Sequence, residues 1–108
     1  MFDVCTFWGY NKLVIYEYAV FEWDEQKRNL VSLRGIDIVL DAPIVLNDER
    51  AVTALSPQKG EIRYKTIGLL NGKLYAVIHT PRNGNCRIIT MRRAHKNEKE
   101  DYHDNSIG

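Results

Sequence analysis

Short runs of apolar and β-branched residues follow one another in the second half of the chain, and turn dipeptides separate them. Asn71-Gly72 is the strongest local hairpin signal, because Asn and Gly tolerate the positive φ angles of a two-residue turn, and Asn83-Gly84 predicts a second reversal. The runs at 62–70, 73–80 and 86–92 are therefore predicted to be three consecutive antiparallel strands.

The first half of the chain opens with a strand pattern followed by a helix pattern. Residues 13–23 are rich in β-branched and aromatic side chains, which predicts a strand. Asp24 then offers a helix N-cap and Gly35 a stop, so we expect a helix over about residues 25–34.

Residues 37–46 fit two interpretations. Asp37 could cap a second helix, although Pro43 would then lie inside it. The alternation of apolar residues from Ile36 to Leu40 also fits a strand. Beyond this segment, a short strand is predicted at 51–55 and a loop at 56–60.

The last predicted element is a polar helix over residues 94–104, which contain strong helix formers. The fold class is therefore α+β, a mostly antiparallel twisted sheet with helices packed on one side. A chain of 108 residues has the size of one domain. We assign it to residues 20–104, with an N-terminal extension at 1–19, which is an edge strand or follows from an upstream start codon, and a tail at 105–108.

The net charge of +1 conceals a separation of charge along the chain. Residues 1–56 carry five Lys or Arg against nine Asp or Glu, whereas residues 57–93 carry eight Lys or Arg against the single acid Glu61. Clustered cations favour a polyanionic partner, since they displace counterions from phosphates. The alternative interpretation is a solvated sheet face whose cations pair with the acidic half.

Membrane insertion and disulfide frameworks are both excluded by the composition. The longest stretches without a charged residue are eight residues, far below the roughly 18 that a membrane helix needs. The N-terminus lacks the apolar region of a signal peptide, so we expect a cytoplasmic protein. Cys5 and Cys86 are two distant cysteines and are predicted to be buried thiols.

No sequence pattern for metal, cofactor or nucleotide chemistry stands out. His79, His95 and His103 lack the spacing of a zinc site, and the P-loop, GxGxxG and GxSxG motifs are absent from the sequence. We therefore predict no metal and no cofactor, with His79 on a strand surface and the other two histidines in solvent.

A cluster of Arg and Lys around Glu61 suits metal-independent RNA cleavage. In that reaction the ribose 2′-OH attacks the adjacent phosphate, so the protein must remove a proton and stabilise charge on the phosphate oxygens. Arginines can do the second task, and Glu61 or Lys27 could take the proton. The need for a 2′-OH would select RNA over DNA. A basic sheet that only binds nucleic acid would show the same pattern.

An ordered series of short motifs from about residue 20 to residue 102 resembles the BrnT toxin family. The quoted residues, in chain order, are Phe21-Glu22-Trp23-Asp24, Lys27, Gly60-Glu61-Ile62-Arg63, Thr66-Ile67-Gly68, Gly72-Lys73-Leu74-Tyr75-Ala76-Val77, Thr80-Pro81-Arg82, Arg87-Ile88-Ile89-Thr90-Met91-Arg92, Ala94, Glu98 and Tyr102.

The resemblance implies a RelE/ParE-like fold and a ribonuclease toxin that blocks translation by cutting RNA. It also implies a cognate BrnA-type antitoxin that neutralises the toxin, and operator DNA contacts made only through the antitoxin complex. No membrane partner is implied.

The polar motif residues of the family fall on a defined set of positions here. We expect Lys27 and Glu61 to transfer protons and the arginines to bind the scissile phosphate and its neighbours. The predicted catalytic residues are Lys27, Glu61, Arg63, Arg82 and Arg92, and the predicted RNA-binding residues are Lys65, Thr80, Arg87 and Arg93.

Two other functions stay open at this point. Family members commonly have Lys-His-Gly where this chain has Arg34-Gly35-Ile36, so a histidine is missing and activity is expected to be weaker. The chain is then either a catalytically impaired homologue that acts within an autorepressor complex, or a non-catalytic module that binds nucleic acid or a peptide.

Overall fold

The computed structural model describes residues 21–56, 60–82 and 84–107, with side chains described as far as residue 104. The predicted N-terminal extension at 1–19, most of the predicted strand at 13–23 and Cys5 lie outside the described residues. Cys86 is fully buried, as predicted.

The described residues form five strands and three helices. In chain order they are β1 (Phe21–Glu22), α1 (Glu25–Ser32), α2 (Ile38–Leu46), β2 (Val52–Leu55), β3 (Tyr64–Leu70), β4 (Lys73–Arg82), β5 (Asn85–Arg93) and α3 (Lys96–Ile107). The strands form one sheet in the order β1-β5-β4-β3-β2. β1 runs parallel to β5 and the other pairs are antiparallel, so the α+β class with a mostly antiparallel sheet is confirmed.

Both predicted hairpins are present. Asn71 has a φ of 51° and Gly72 a φ of 79°, the two positive values that a type I′ turn between β3 and β4 requires. β4 and β5 are antiparallel neighbours whose facing ends, Arg82 and Asn85, pair directly, and Gly84 between them has a φ of 77°.

The ambiguous segment after Asp37 is helix α2. The Asp37 side chain accepts a hydrogen bond from the Val39 N–H at 2.9 Å, and Asp41 accepts from the Asp37 N–H at 3.0 Å. These bonds satisfy the first turn. The strand-like alternation was misleading because Leu40 is 67% exposed. No helix in the described part of the chain is long and apolar enough to cross a membrane.

Helices lie on both faces of the sheet, so the prediction that they pack on one side was wrong. On β4, Val77 belongs to the core cluster beneath α1 and α2, while its neighbour Ala76 belongs to a second cluster with Tyr102 of α3. Adjacent residues of a strand point to opposite faces, which places α3 on the face opposite α1 and α2. Among the described residues, Tyr102 is the one residue that α3 contributes to the buried part of this second cluster. The otherwise polar sequence of α3 therefore did not indicate which face of the sheet the helix packs on.

α2 lies directly on the backbone of β3. A Cβ atom at Gly68 would overlap the carbonyl oxygen of Val45 and lie 2.9 Å from the Val45 Cγ1. Glycine is therefore required for this close approach of helix and strand.

His79 is fully buried, so its predicted place on a strand surface was wrong. Its Nε2 lies 2.8 Å from the Thr66 hydroxyl, which in turn lies 2.8 Å from the Thr53 hydroxyl. His79 and Thr66 share the face of the sheet that α2 covers, because they alternate with residues of the other face along their strands. Burial lowers the pKa of His79 to about 3, so the imidazole is neutral.

This burial makes the stability of the fold sensitive to acid. The unfolded chain takes up a proton at His79 as the pH falls through 6.5, whereas the folded chain does not until about pH 3. Stability that is present above pH 6.5 is then lost on acidification by up to about 1.4 kcal/mol per pH unit.

We expect urea unfolding to show this loss between pH 6.5 and about pH 5, a window in which carboxylates contribute little. His79→Gln should flatten the pH dependence in that window. Equal slopes for the wild type and His79→Gln would contradict the assignment.

Candidate functional site

Antiparallel pairing brings four chain segments to one end of the sheet. β3 begins there, β4 ends there and β5 begins there, since Tyr64 pairs with His79 and Arg82 with Asn85. β1 is only two residues long and pairs with the first residues of β5, Phe21 with Cys86 and Glu22 with Arg87, so β1 and the start of α1 lie close to this same end. Side chains that are far apart in the sequence therefore meet.

These segments enclose a cleft of about 210 Å³, which we call the basic cleft. Five of the nine predicted site residues line it, among them four of the five predicted catalytic residues. The lining residues are Asp24, Lys27, Glu61, Arg63, Arg82, Arg87, Ile88 and Ile89. Four cations face two carboxylates, so the cleft carries an excess of positive charge.

Glu61 holds Arg63 within the basic cleft. The Arg63 Nε–H donates to Glu61 Oε2 at 2.7 Å, and the two side chains are 27% and 34% exposed. A partly buried pair at this distance fixes the orientation of the Arg63 guanidinium group through its Nε–H.

Arg87 is oriented by a carboxylate from the edge strand. Glu22 of β1 pairs with Arg87 in the parallel register, and Glu22 Oε1 lies 3.7 Å from the Arg87 guanidinium. The other carboxylate oxygen, Oε2, accepts from Asn85 Nδ2 at 2.7 Å. Glu22 therefore fixes the start of β5 next to the basic cleft.

Lys27 and Arg82 supply the uncompensated charge. Both side chains are exposed, and within the described residues neither has a carboxylate oxygen within 4.0 Å. Asp24, the acid of the cleft nearest to Lys27 in the sequence, is engaged as the N-cap of α1, where it accepts from the Gln26 N–H at 2.8 Å. An anion is the ligand that such a pair of cations attracts.

A β-bulge shapes one wall of the basic cleft. Ile78 pairs with Thr90 and His79 pairs with Ile88, so Ile89 is an extra residue in β5. Bulges redirect neighbouring side chains and are frequent beside functional sites. Here the bulge brings both Ile88 and Ile89 to the cleft beside Arg87.

Thr80 lies behind the basic cleft and does not line it. Its side chain is 2% exposed, and its hydroxyl donates to the Ile62 carbonyl oxygen at 2.6 Å. Ile62 is the residue between Glu61 and Arg63, so this bond anchors the segment that carries the ion pair. The sequence predicted Thr80 as an RNA-binding residue. Its burial and its bond to Ile62 instead favour a role in supporting the wall of the cleft.

Arg92 and Lys65 lie outside the basic cleft, although the sequence predicted them as site residues. Glu98 of α3 is 2% exposed and accepts from both terminal nitrogens of Arg92, at 2.8 and 2.9 Å. Lys65 Nζ lies 2.9 Å from Glu98 Oε2, and the His95 N–H donates to Glu98 Oε1 at 2.7 Å. The Arg92 hydrogen bonds hold the pKa of Glu98 well below its usual range.

Arg93, the last predicted RNA-binding residue, also lies away from the basic cleft. It ends β5 at the opposite end of the sheet, with its guanidinium carbon 5.4 Å from the centroid of the Tyr75 ring. The described bases of segment 60–93 are therefore divided among the basic cleft, the Glu98 network and this far end.

Sequence reasoning missed Glu22, Asn85 and Ile89 as parts of the site. The Glu22 contact depends on the parallel pairing of a two-residue strand, which leaves no periodic signal. The bulge at Ile89 is likewise invisible to a simple alternation of two. Among the described residues, no group of three His, Cys, Asp or Glu side chains could hold a metal ion.

An α+β sheet whose one end carries a cleft of arginines, a lysine and a paired glutamate belongs to a class of site whose charge favours an anionic ligand. Comparison with protein families narrows this class. The family model described as "Ribonuclease toxin, BrnT, of type II toxin-antitoxin system" matches residues 23–98, and the chain belongs to this family. All lining residues of the basic cleft lie within the matched span.

The family resemblance seen in the sequence is thereby confirmed. Membership in a family of type II toxins implies an antitoxin partner. Searches of curated proteins and of solved structures found no match to this chain.

Arg92 and Arg82 are expected to differ in what their removal does. Arg92→Ala removes the two-point partner of a buried carboxylate and leaves Lys65 at 2.9 Å and the His95 imidazole at 3.8 Å, so the free energy of unfolding should fall by about 3 kcal/mol. Arg82→Ala removes an exposed side chain and should leave stability close to that of the wild type. Urea unfolding at neutral pH measures both, and equal stability of the two variants would contradict the buried network.

Proposed function

We propose that this chain is an endoribonuclease toxin that cleaves RNA in the basic cleft without a metal ion and thereby inhibits translation. The observation that carries the proposal is the convergence of Lys27, Arg63, Arg82 and Arg87 beside Glu61 in one concave site. Family membership supports the same activity. A RelE/ParE-like architecture in a cytoplasmic protein is part of this proposal and rests on the resemblance.

The proposed reaction is an internal transesterification of RNA. The 2′-oxygen loses its proton and forms a bond to the adjacent phosphorus, the bond from phosphorus to the 5′-oxygen breaks, and that oxygen takes up a proton. The products are a 2′,3′-cyclic phosphate and a 5′-hydroxyl end. Charge builds up on the non-bridging phosphate oxygens, where oriented cations lower the barrier most.

The contacts in the basic cleft suggest distinct roles for its cations. Arg63 and Arg87 are each oriented by a carboxylate, so they are suited to hold the phosphate in one geometry. Arg82 and Lys27 carry the uncompensated charge that attracts the phosphodiester. The proposal also gives Lys27, which lines the cleft, the transfer of a proton at the reacting oxygens.

Glu61 has two proposed roles that a single substitution separates. It orients Arg63 through Oε2, and its other oxygen can accept the proton of the 2′-OH. Glu61→Gln keeps an oxygen that can accept the Arg63 hydrogen bond but can no longer take a proton. A loss of cleavage in this variant identifies the base, and retained cleavage restricts Glu61 to positioning.

A BrnA-type antitoxin is the proposed neutralising partner. Because the exposed cations of the basic cleft attract any polyanion, a partner that blocks cleavage is expected to cover Lys27 and Arg82 with acidic or backbone acceptor groups. Operator DNA would then be contacted by the antitoxin within the complex.

The central prediction is cleavage of RNA by purified, antitoxin-free protein in the presence of EDTA. Cyclic phosphate ends on the fragments, detected by mass spectrometry, would support the proposed chemistry. Arg82→Ala should lower kcat/KM by about 10²-fold or more, because one donor to the developing charge is lost. Lys96→Ala, which removes an exposed cation outside the cleft, is the matched control and should retain activity.

Two outcomes would favour the alternative functions. Intact RNA at high protein excess, with salt-dependent RNA binding that Arg82→Ala weakens, would indicate a binding module without catalysis. Failure of strong expression to slow growth would indicate an impaired homologue. In that case, replacing Arg34-Gly35-Ile36 with the Lys-His-Gly of the family would test whether the missing histidine accounts for the lost activity.

Thr80 provides a test of positioning behind the basic cleft. Thr80→Val removes the hydrogen bond to Ile62 and should lower kcat about tenfold or more with little change in KM, since a displacement of Glu61 and Arg63 of about 1 Å misaligns the reacting groups. Thr80→Ser keeps the hydroxyl and should restore kcat. Thr53→Val, which removes another buried hydroxyl away from the cleft, should leave kcat near the wild-type value. Equal kcat values for Thr80→Val and Thr53→Val would overturn the positioning role.

A further inference from the structure

A second basic depression lies at the opposite end of the sheet from the basic cleft. It has a volume of about 220 Å³ and is formed where the Asn71-Gly72 turn, the end of β5 and helix α3 meet. Four of its lining residues, Lys73, Arg93, Lys99 and His103, are basic. We call it the hairpin pocket. Neither the family description nor the proposed cleavage site involves it.

Three cations of the hairpin pocket have no ion-pair partner among the described residues. Lys73, Arg93 and Lys99 have no carboxylate oxygen within 4.0 Å among the described residues, and no Asp or Glu lines the pocket. The exposed acids of α3, Glu100, Asp101 and Asp104, lie outside its lining. Elsewhere in the fold, by contrast, Arg63, Lys65, Arg87 and Arg92 each meet a carboxylate.

The floor of the hairpin pocket is held in place. Leu74 and Tyr102 are only 7% and 6% exposed, and the Tyr102 hydroxyl donates to Asp48 Oδ2 at 2.7 Å. Desolvation, together with the hydrogen bond to the Asp48 carboxylate, raises the pKa of the Tyr102 hydroxyl to about 12. The hydroxyl therefore keeps its proton and remains a hydrogen-bond donor. The same Asp48 oxygen accepts from the Leu69 N–H at 2.9 Å. This acid is therefore engaged by two neutral donors beneath the pocket.

Arg93 is also restrained before any ligand binds. Its guanidinium carbon lies 5.4 Å from the centroid of the Tyr75 ring, within the range of a cation–π contact. A restrained arginine loses less conformational freedom on binding than a free one, and its flat group presents paired donors to phosphate oxygens.

We propose that the hairpin pocket binds the phosphate backbone of the RNA whose cleavage takes place in the basic cleft, with Lys73, Arg93 and Lys99 each contacting a phosphate. β4 begins at the pocket with Lys73 and ends at the cleft with Arg82, nine residues later, so the sites lie roughly 30 Å apart along this strand. An RNA strand that follows the molecule from one site to the other gains a second electrostatic anchor. The choice of RNA as the ligand of the hairpin pocket rests on the proposed ribonuclease function.

The test uses 2′-O-methyl RNA, which cannot undergo the cleavage reaction, so binding is measured apart from catalysis. Fluorescence anisotropy gives the affinity of a 20-nucleotide strand over a range of salt concentrations. Each phosphate contact to a single strand contributes about 0.7 to the slope of log K against log salt. The triple variant Lys73→Ala/Arg93→Ala/Lys99→Ala should therefore reduce the magnitude of the slope by about 2.

Matched controls separate the pocket from general surface charge. Lys96→Ala removes a cation from the same helix as Lys99 but outside the pocket, and it should leave the slope unchanged, whereas Lys99→Ala should reduce it by about 0.7. A slope equal to wild type in the triple variant would overturn the proposal, as would equal effects of Lys96→Ala and Lys99→Ala. Loss of antitoxin binding with an unchanged RNA slope would assign the pocket to the protein partner and overturn it as well.

A cleavage assay keeps this inference distinct from the proposed function. The triple variant should cleave an RNA dinucleotide as fast as the wild type, because such a substrate cannot span both sites. Absence of cleavage by the wild type would contradict the ribonuclease proposal while leaving the salt slopes interpretable. Slower cleavage of the dinucleotide by the triple variant would contradict a role confined to binding longer RNA.

Discussion

Antiparallel pairing of β3, β4 and β5 is the constraint on which the arrangement of charge in this protein depends. It sets the segment before β3, the end of β4 and the start of β5 side by side, and it sends the remaining bases to the other face or the other end of the sheet. A basic run of sequence therefore becomes three separate groups of cations. Each group has a different number of carboxylates within reach.

The carboxylates decide what each group of cations can do. Glu98 is buried and binds Arg92 in a two-point ion pair, so those charges serve the attachment of α3. Glu61 and Glu22 orient an arginine each but stay partly exposed, so the cations they touch remain available at the surface. A buried charge must be matched to avoid a large desolvation cost, whereas a surface charge can keep part of its field for a ligand.

The hairpins and the convergence of the site could be predicted from the sequence, because both follow from local signals. Asn-Gly turns and an alternation of two determine which strands are neighbours, and neighbouring strands bring Arg63, Arg82 and Arg87 together. The fate of Arg92 could not be predicted. Its partner Glu98 lies on a polar helix, and a polar helix is predicted from sequence to be solvent-exposed. Only the packing of α3 against the sheet buries Glu98.

The same limit applies to faces and burial. Most residues on both faces of β4 are apolar. The sequence therefore indicated that a strand was present but not which face of it a helix would cover. α2 was ambiguous because Pro43 is unfavourable in a helix, and the caps supplied by Asp37 and Asp41 outweigh it. His79 was misplaced because a lone histidine carries no sequence signal for the hydroxyl that receives it.

The hydroxyl and imidazole groups of Thr53, Thr66 and His79 have a consequence for how the strands find one another. They form a polar line across three strands beneath an otherwise apolar helix. If β3 slipped by one residue against either neighbour, these groups would be buried opposite hydrocarbon, and each unmatched group would cost about 1–3 kcal/mol. An all-apolar layer would tolerate such slippage far better, so this line selects a single alignment of the sheet and with it the alignment of the cations at its end.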